Sequence, residues 1–164
     1  MKVLANDGIS QSGIDALKAS GFEVITTNVA QEQLISYINE NQITVLLVRS
    51  ATTARKDLVD SCPSLKIIGR GGVGMDNIDV AYAREKGLKV INTPASSSAS
   101  VAELVFAHLY GGVRFLYDSN RNMPLEGELN FKGLKKAYAK GIELRGKTIG
   151  IIGFGRIGQE VAKI

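Results

Sequence analysis

Three short stretches carry the side chains and glycines that could bind an anion. Arg49 and Ser50 follow one apolar segment, residues 70–74 (Arg-Gly-Gly-Val-Gly) follow the next, and Asn92 follows a third. A guanidinium offers a planar set of donors suited to phosphate or carboxylate, and a serine hydroxyl adds another donor. Closely spaced glycines free backbone N–H groups for an anion-binding nest. The stretches predict an anion site, unless Arg49 pairs with a surface acid and the glycines only turn the chain.

A second glycine pattern, Gly153-Phe154-Gly155-Arg156-Ile157-Gly158, follows the apolar residues 148–152. This context is typical of a dinucleotide-binding loop that opens a helix. Gly153 would permit the tight turn, Gly155 would let the backbone approach a pyrophosphate, and Gly158 would let the helix close on the strand. A packing turn is the alternative. The acidic residue that separates NAD from NADP would lie about 20 positions further on, beyond Ile164.

No convincing pair of a general acid and a general base stands out. His108 is the single histidine, and its place within an apolar helical stretch favours a packed or interface role over a base. Glu103 is better explained as a helix-capping residue. The sequence therefore predicts no catalytic residue and no metal ligand in this chain. Cys62, the single cysteine, is expected to pack passively, since free cysteines are usually buried.

Strands and helices alternate through the first 92 residues. Short apolar runs separated by helical patterns indicate a parallel sheet covered on both faces by right-handed crossovers. Strands are predicted at 2–5, 22–26, 44–48, 66–69 and 88–92, with helices at 10–20, 31–41, 55–61 and 79–86. Asp79 is expected to cap the last of these helices. The predicted class is an α/β, flavodoxin-like doubly wound sheet. In such sheets ligands bind outside the carboxyl ends of the strands, where the three anion-binding stretches lie.

The pattern changes after a small-residue stretch at 95–100, which suits a hinge. A capping box from Ser100 to Glu103 predicts a long helix to about Tyr117. A polar, turn-rich segment is then expected at 118–130, followed by a lysine-faced helix, a strand at 148–152 and the glycine loop. The predicted domains are 1–98, which binds substrate, and 99–164, the start of a Rossmann cofactor domain. We expect this second domain to be incomplete, because one strand and one helix cannot bury their own apolar faces.

Composition excludes several classes of partner. The chain has 164 residues, 45% hydrophobic and 22% charged, with a net charge of +4. The positive excess is concentrated between Lys132 and Lys147, which predicts a solvated helix face or an anion-attracting rim and argues against a nucleic-acid partner. No apolar run approaches the roughly 20 residues that span a bilayer, so no membrane partner is expected. A single cysteine favours a reducing, cytoplasmic location.

Longer motifs carry a family resemblance. The stretch LKIIGRGGVGMDNIDVAYAREKGLKVINTP, followed by SVAEL and by ELRGKTIGIIGFGRIGQEVA, resembles the D-isomer-specific 2-hydroxy acid dehydrogenases. The similarity is dense from about residue 44 onwards and thinner before it. Together these motifs are far more specific than the glycine pattern alone.

The resemblance implies a role for each matching residue. Arg49 and Ser50 would hold a substrate phosphate, Val73 and Gly74 would meet the substrate carboxylate and the nicotinamide, and Asn92 would complete the substrate site. The pyrophosphate of NAD would lie against Gly153, Gly155, Arg156, Ile157 and Gly158. The resemblance also implies a small-molecule substrate and a homodimer formed through residues 100–145.

The segment RSATT at residues 49–53 favours family members that oxidise D-3-phosphoglycerate to 3-phosphohydroxypyruvate in serine biosynthesis. The resemblance implies that the catalytic Arg, Glu and His lie beyond residue 164, so we expect an inactive N-terminal fragment of a longer enzyme. A glyoxylate or hydroxypyruvate reductase of the same family is one alternative. A small-anion-binding module without chemistry of its own is another.

Overall fold

A computed structural model describes residues 1–164, which divide into two compact units, Met1–Ser96 and Ser97–Ile164. The roles predicted for domains 1–98 and 99–164 stay predictions.

The first unit contains a five-stranded sheet in which every strand is parallel to its neighbours, in the order β2-β1-β3-β4-β5. Val3 and Leu4 are both buried. Successive strand residues point to opposite faces, so both faces of the sheet are covered. The predicted flavodoxin-like class is confirmed, and the strands are β1 (Lys2–Ala5), β2 (Glu23–Ile25), β3 (Val45–Val48), β4 (Ile67–Arg70) and β5 (Lys89–Asn92).

Four helices and one short 3₁₀ turn connect these strands. Ser10 caps the first helix, since its hydroxyl accepts a hydrogen bond from the Gly13 amide. The buried side chains of Leu34, Ile38 and Leu58 pack with Leu4 and Leu46 of the sheet in one apolar core. The helices are α1 (Gln11–Ala19), α2 (Leu34–Asn41, preceded by the 3₁₀ turn Gln31–Gln33), α3 (Lys56–Ser61) and α4 (Val80–Glu85).

Asp79 occupies the N-cap position of α4, but its side chain does not cap that helix. Its carboxylate instead accepts hydrogen bonds from the Lys56 amide at 3.0 Å and from Arg55 Nη1 at 3.1 Å. The prediction that Asp79 caps α4 is therefore wrong, because its carboxylate contacts the beginning of α3 instead. Asp79 satisfies the amide at the beginning of α3, where a free N–H otherwise lacks a partner.

A polar cluster also joins α3 to α4 on the surface. The Tyr82 hydroxyl donates to the Asp60 carboxylate at 2.8 Å, and Lys86 Nζ lies 3.2 Å from the same group. The hydrogen bond from Tyr82, followed by that from Lys86, lowers the pKa of Asp60 below its ordinary value of 3.8. The hydrogen bonds with Asp60 and then Tyr82 raise the pKa of Lys86 above 10.5.

These two shifts predict a window of pH in which the cluster stabilises the fold. The Asp60 contribution is present above pH 3.8 and disappears as the pH falls through the lowered pKa. The Lys86 contribution is complete below pH 10.5 and disappears as the pH rises through the raised pKa. We expect Tyr82→Phe to lower the melting temperature at neutral pH and much less in acid. Tyr117→Phe, at an exposed tyrosine, is the control, and a Tyr82→Phe deficit that stays constant from neutral to acid pH would contradict the prediction.

The second unit consists of helices without a sheet. These are α5 (Ser98–Val113), α6 (Leu116–Tyr138) and α7 (Arg156–Lys163). Helix α5 begins two residues before the predicted capping box, and its N-cap residue Ser97 makes no side-chain cap. Ser100 and Glu103 therefore lie inside the helix, and the predicted capping box is wrong.

The turn-rich segment predicted at 118–130 is also wrong, because these residues are helical within α6. Pro124 lies inside the helix, where it removes one N–H donor without ending the structure. The backbone leaves helical geometry only at Asn130. Leu125 and Glu126, which directly follow the proline, are strong helix formers, and α6 also packs against α5.

Residues 148–152 do not form the predicted strand. A β-strand exists only when its backbone pairs with a neighbour, and no segment of residues 1–164 pairs with this one. Beyond it, α7 packs against α5, with Val161 buried. None of the helices is both long enough and apolar enough to cross a membrane.

Candidate functional site

The carboxyl ends of β1, β3, β4 and β5 open into one cavity of about 730 Å³. Because β1 and β3 are the central neighbours from which the chain winds in opposite directions, this is the switch point at which doubly wound sheets bind ligands. Arg49 and Asn92 line the cavity, as predicted, whereas Ser50, Val73 and Gly74 do not.

The backbone of Arg49 is fixed on both sides. Its amide donates to Asp7 Oδ2 at 2.6 Å, and its carbonyl accepts from Asn77 Nδ2 at 2.9 Å and Arg70 Nε at 3.1 Å. The guanidinium makes no hydrogen bond or ion pair within the chain. Arg49, whose backbone is fixed, is thus an exposed and unpaired cation among the residues that line the cavity. The alternative in which Arg49 pairs with a surface acid is wrong.

Asp7 brings a carboxylate to the same cavity. Burial acts to raise the pKa of Asp7, but hydrogen bonds from the Thr52 hydroxyl and from the neighbouring loop amides outweigh it, so the pKa lies below 3.8. A general base that works near neutral pH needs a pKa closer to 7. The Asp7 carboxylate therefore serves as a hydrogen-bond acceptor for the loop rather than as a proton acceptor.

Arg70, the last residue of β4, connects two of the predicted substrate loops. Its side chain donates from Nε to the Arg49 carbonyl and from Nη1 to the Gly74 carbonyl, and Nη2 lies 3.7 Å from Asp76. Each of the three guanidinium nitrogens of Arg70 thus has a partner within the chain. Arg70 thus lines the cavity while its donors hold backbone, in contrast to the unpaired Arg49.

The Asn92 side chain holds the glycine-rich loop. Its Nδ2 donates to the Val73 carbonyl at 2.7 Å, and the Thr93 amide donates to the Gly72 carbonyl at 3.2 Å. The Val73 side chain is 46% exposed. The structure therefore brings Val73 next to Asn92 at the edge of the cavity, as the convergence of these loops predicts. Their roles toward a substrate stay predictions.

Several polar residues of this site were missed by sequence reasoning. Asn6 and Thr52 are almost fully buried, and Asn6 Nδ2 donates to Thr52 Oγ1 at 2.8 Å. A signal was available for Asn6 and Asp7, since they follow β1 just as Arg49 follows β3. For Thr52 and Asn77 no such signal exists, because both lie within loops whose path the sequence does not define.

The second glycine pattern has the geometry predicted for its turn and its close approach. Gly153 has φ +91°, which only glycine adopts readily. A Cβ atom on Gly158 would lie 2.5 Å from the Gly153 carbonyl oxygen, whereas the space around Gly155 is open. Close approach at Gly158 and free space at Gly155 are what a dinucleotide loop requires.

The amides that open α7 complete this loop. Those of Arg156, Ile157 and Gly158 have no backbone acceptor. Free N–H groups at a helix N-terminus can bind a pyrophosphate, so the residues present fit the phosphates of a dinucleotide. When bound, a nicotinamide dinucleotide supplies a hydride acceptor.

The single histidine, His108, lies on α5 and its side chain is exposed. The prediction that His108 packs within this chain is therefore wrong, while its interface role stays a prediction.

Two features together define the class of protein. A doubly wound parallel sheet with a cavity at its switch point, and a glycine loop that opens a helix, are typical of α/β proteins that bind small ligands and nucleotides.

The chain belongs to the D-isomer-specific 2-hydroxy acid dehydrogenases. The family description "D-isomer specific 2-hydroxyacid dehydrogenase, catalytic domain" matches residues 3–153. The resemblance carried by the long motifs is therefore confirmed.

Two curated relatives show how the similarity is distributed. D-3-phosphoglycerate dehydrogenase of Methanocaldococcus jannaschii is 40% identical over 99% of this chain and 30% of the relative. Hydroxypyruvate reductase of Thermotoga maritima is 42% identical over 99% of this chain and 51% of the relative. This chain thus spans between about a third and a half of these relatives.

A solved structure gives the same result at the level of the fold. NAD-dependent formate dehydrogenase from Staphylococcus aureus, in complex with NAD, superposes with a TM-score of 0.74 at 29% identity. The match covers 99% of this chain and 52% of that chain.

Proposed function

We propose that this chain binds the substrate of an NAD-dependent dehydrogenase that oxidises D-3-phosphoglycerate to 3-phosphohydroxypyruvate in serine biosynthesis. The observation that carries the proposal is the unpaired Arg49 guanidinium on a fixed backbone in the cavity. A guanidinium binds phosphate through paired, charge-assisted hydrogen bonds. The 40% identity to a D-3-phosphoglycerate dehydrogenase agrees with this choice of substrate.

In the proposed reaction the substrate would lose its C2 hydrogen as a hydride and its C2 hydroxyl proton to a base, and a bound nicotinamide would supply the hydride acceptor. The C2 carbon thereby changes from alcohol to carbonyl. Residues 1–164 bind and orient the substrate, with Arg49 and Ser50 at its phosphate and with Val73, Gly74 and Asn92 near its carboxylate. We assign neither the base nor the arginine that stabilises the carbonyl to this chain.

A second candidate substrate is hydroxypyruvate or glyoxylate, reduced by the reverse of the same chemistry. The 42% identity to a hydroxypyruvate reductase favours it. These substrates carry a carboxylate but no phosphate. In that case Arg49 would bind the carboxylate, and phosphate would add nothing to affinity.

Titration of the purified chain with two ligands separates these proposals. D-3-phosphoglycerate and D-glycerate differ only in the phosphate, so their affinity ratio measures phosphate recognition. We expect the phosphorylated ligand to bind at least tenfold more tightly, because charge-assisted hydrogen bonds contribute about 1.5 to 3 kcal/mol. Isothermal titration calorimetry or NMR titration measures both. Equal affinities would favour the reductase.

We propose NAD as the cofactor, held by Gly153, Gly155, Arg156, Ile157 and Gly158. The support is the free helix amides, the open space at Gly155 and the NAD bound by the Staphylococcus aureus structure.

The cytoplasmic location stays a prediction that rests on the single cysteine. Burial, together with the nearby Asp57 charge, raises the pKa of Cys62 to about 11, so this thiol is unreactive.

We also propose a homodimer formed through residues 100–145. Most of the large apolar side chains that are exposed lie in the second unit, and Leu116, Leu125 and Leu129 are each more than 60% exposed. Apolar surface of this extent usually marks an interaction site. Sedimentation equilibrium should give a mass near twice 17.6 kDa. A Leu125→Glu, Leu129→Glu double variant should give a monomer, and a wild-type chain that is monomeric at high concentration would argue against the dimer.

A further inference from the structure

Loop 49–52, the residues Arg49 to Thr52, is held at both ends by the same two side chains. The Asp7 carboxylate accepts from the amides of Arg49 and Thr52, at 2.6 and 3.1 Å. The Asn77 carboxamide donates to the carbonyls of the same two residues, at 2.9 and 2.6 Å. One side chain thus takes both N–H groups, and the other takes both C=O groups.

Additional contacts keep Asp7 and Asn77 in place. Asp7 Oδ1 accepts from the Thr52 hydroxyl at 2.5 Å, and that hydroxyl accepts from the buried Asn6. Asn77 is itself buried, and its backbone carbonyl accepts from the Ala54 amide at 2.9 Å. Asn77 is therefore part of the protein interior, whereas the partly buried Asp7 at the cavity is held in place by its hydrogen bonds.

A carboxylate beside an anion site is unfavourable by charge alone. A negative charge at Asp7 repels a phosphate at Arg49, and removing it would then increase affinity. The geometry indicates a compensating benefit. A loop that is fixed before binding loses little conformational entropy when Arg49 binds a ligand, and this smaller entropy cost strengthens binding.

We propose that Asp7 and Asn77 are positioning residues. They fix loop 49–52 before the ligand binds, so that the Arg49 guanidinium is already placed to bind the substrate phosphate. The inference rests on the proposed function, because it takes Arg49 as the anion-binding group. Neither side chain needs to touch the ligand.

Two substitutions that change the local charge in opposite directions test the proposal. Asp7→Ala removes a negative charge near the cavity, and Asn77→Asp adds one against the carbonyls of Arg49 and Thr52. If charge alone matters, phosphate affinity rises in the first variant and falls in the second. If positioning dominates, affinity falls in both. We expect a loss of about tenfold for Asp7→Ala, measured with inorganic phosphate and with D-3-phosphoglycerate.

Matched controls separate positioning from general stability. Asp15→Ala removes an exposed charge from α1, and Asn39→Asp repeats the amide-to-acid change at a side chain that donates to the Ser61 carbonyl outside the cavity. Both should keep affinity within about twofold of the wild type. Asp7→Asn should retain most of the affinity, because its remaining oxygen can still accept from both amides.

Hydrogen exchange supplies a readout that does not need a ligand. In Asp7→Ala the amides of Arg49 and Thr52 should lose protection, while the Ala54 amide keeps it. Unchanged protection, or phosphate affinity equal to or above that of the wild type, would overturn the inference while leaving the proposed function intact.

A wild-type chain that binds phosphate but does not prefer D-3-phosphoglycerate over D-glycerate would overturn the proposed function, and Asp7→Ala would still decide the positioning role. A wild-type chain that binds neither ligand would overturn both.

Discussion

Replacing Arg49 by glutamine is expected to weaken binding of D-3-phosphoglycerate by roughly 10- to 100-fold. The Arg49 guanidinium is the one cationic group of the cavity lining whose donors have no partner within the chain, since those of Arg70 hold backbone carbonyls. Glutamine preserves part of the aliphatic stem and one pair of donors but removes the charge and the fork. Titration calorimetry on the purified chain measures the loss.

The pattern across ligands and variants is more informative than the loss itself. Arg49→Lys keeps the charge without the planar fork and should give an intermediate affinity. Arg121→Gln removes the same charge from α6 and should leave the affinity unchanged. If Arg49→Gln weakens D-glycerate as much as D-3-phosphoglycerate, Arg49 binds a carboxylate, and the reductase assignment replaces the phosphoglycerate one.

Regular structure in the first unit could be predicted because each strand is a short apolar run bounded by polar or glycine residues. All five strands lie within one residue of the predicted limits. The topology then brings the strand ends together, which places Arg49 and Asn92 at one cavity. Convergence of this kind follows from the parallel sheet alone, so no knowledge of side-chain contacts was needed.

The wrong predictions in the second unit have a common cause, because contacts override the local sequence signals there. Pro124 and Gly127 are typical of turns, yet both lie within α6. The apolar residues 148–152 have strand propensity, yet propensity gives no strand without a partner to pair with. In both places the contacts of the segment, rather than its composition, decide the structure.

Contacts between distant residues explain what the site prediction lacked. Asp7 and Thr52 are separated by 45 residues and Thr52 and Asn77 by 25, and each is a residue type that is common on protein surfaces. Only the folded chain shows that they bind the same loop. Sequence alone could therefore indicate the group that meets the ligand but not the groups that hold it in position.

Replacing Gly158 by alanine is expected to destabilise the second unit by about 1 to 3 kcal/mol. The new Cβ atom would lie 2.5 Å from the Gly153 carbonyl oxygen and 3.3 Å from Ile151 Cγ2. Backbone cannot move aside as a flexible side chain can, so either the turn at Gly153 or the beginning of α7 must shift. Helix α7 would then pack less closely on α5, and the amide of the buried Val161 should exchange faster.

Gly155→Ala is the matched control within the same motif. No atom lies within 4 Å of a Cβ placed there, and Gly155 has φ −78°, which alanine adopts without strain. This variant should keep the Val161 amide protected and the melting temperature unchanged. If alanine changed the melting temperature equally at positions 155 and 158, the close contact at Gly158 would not explain the effect, and the prediction would be wrong. A large effect at Gly158 with none at Gly155 would instead separate two demands on the loop, because Gly158 must let the helix close while the space at Gly155 is left free for a ligand.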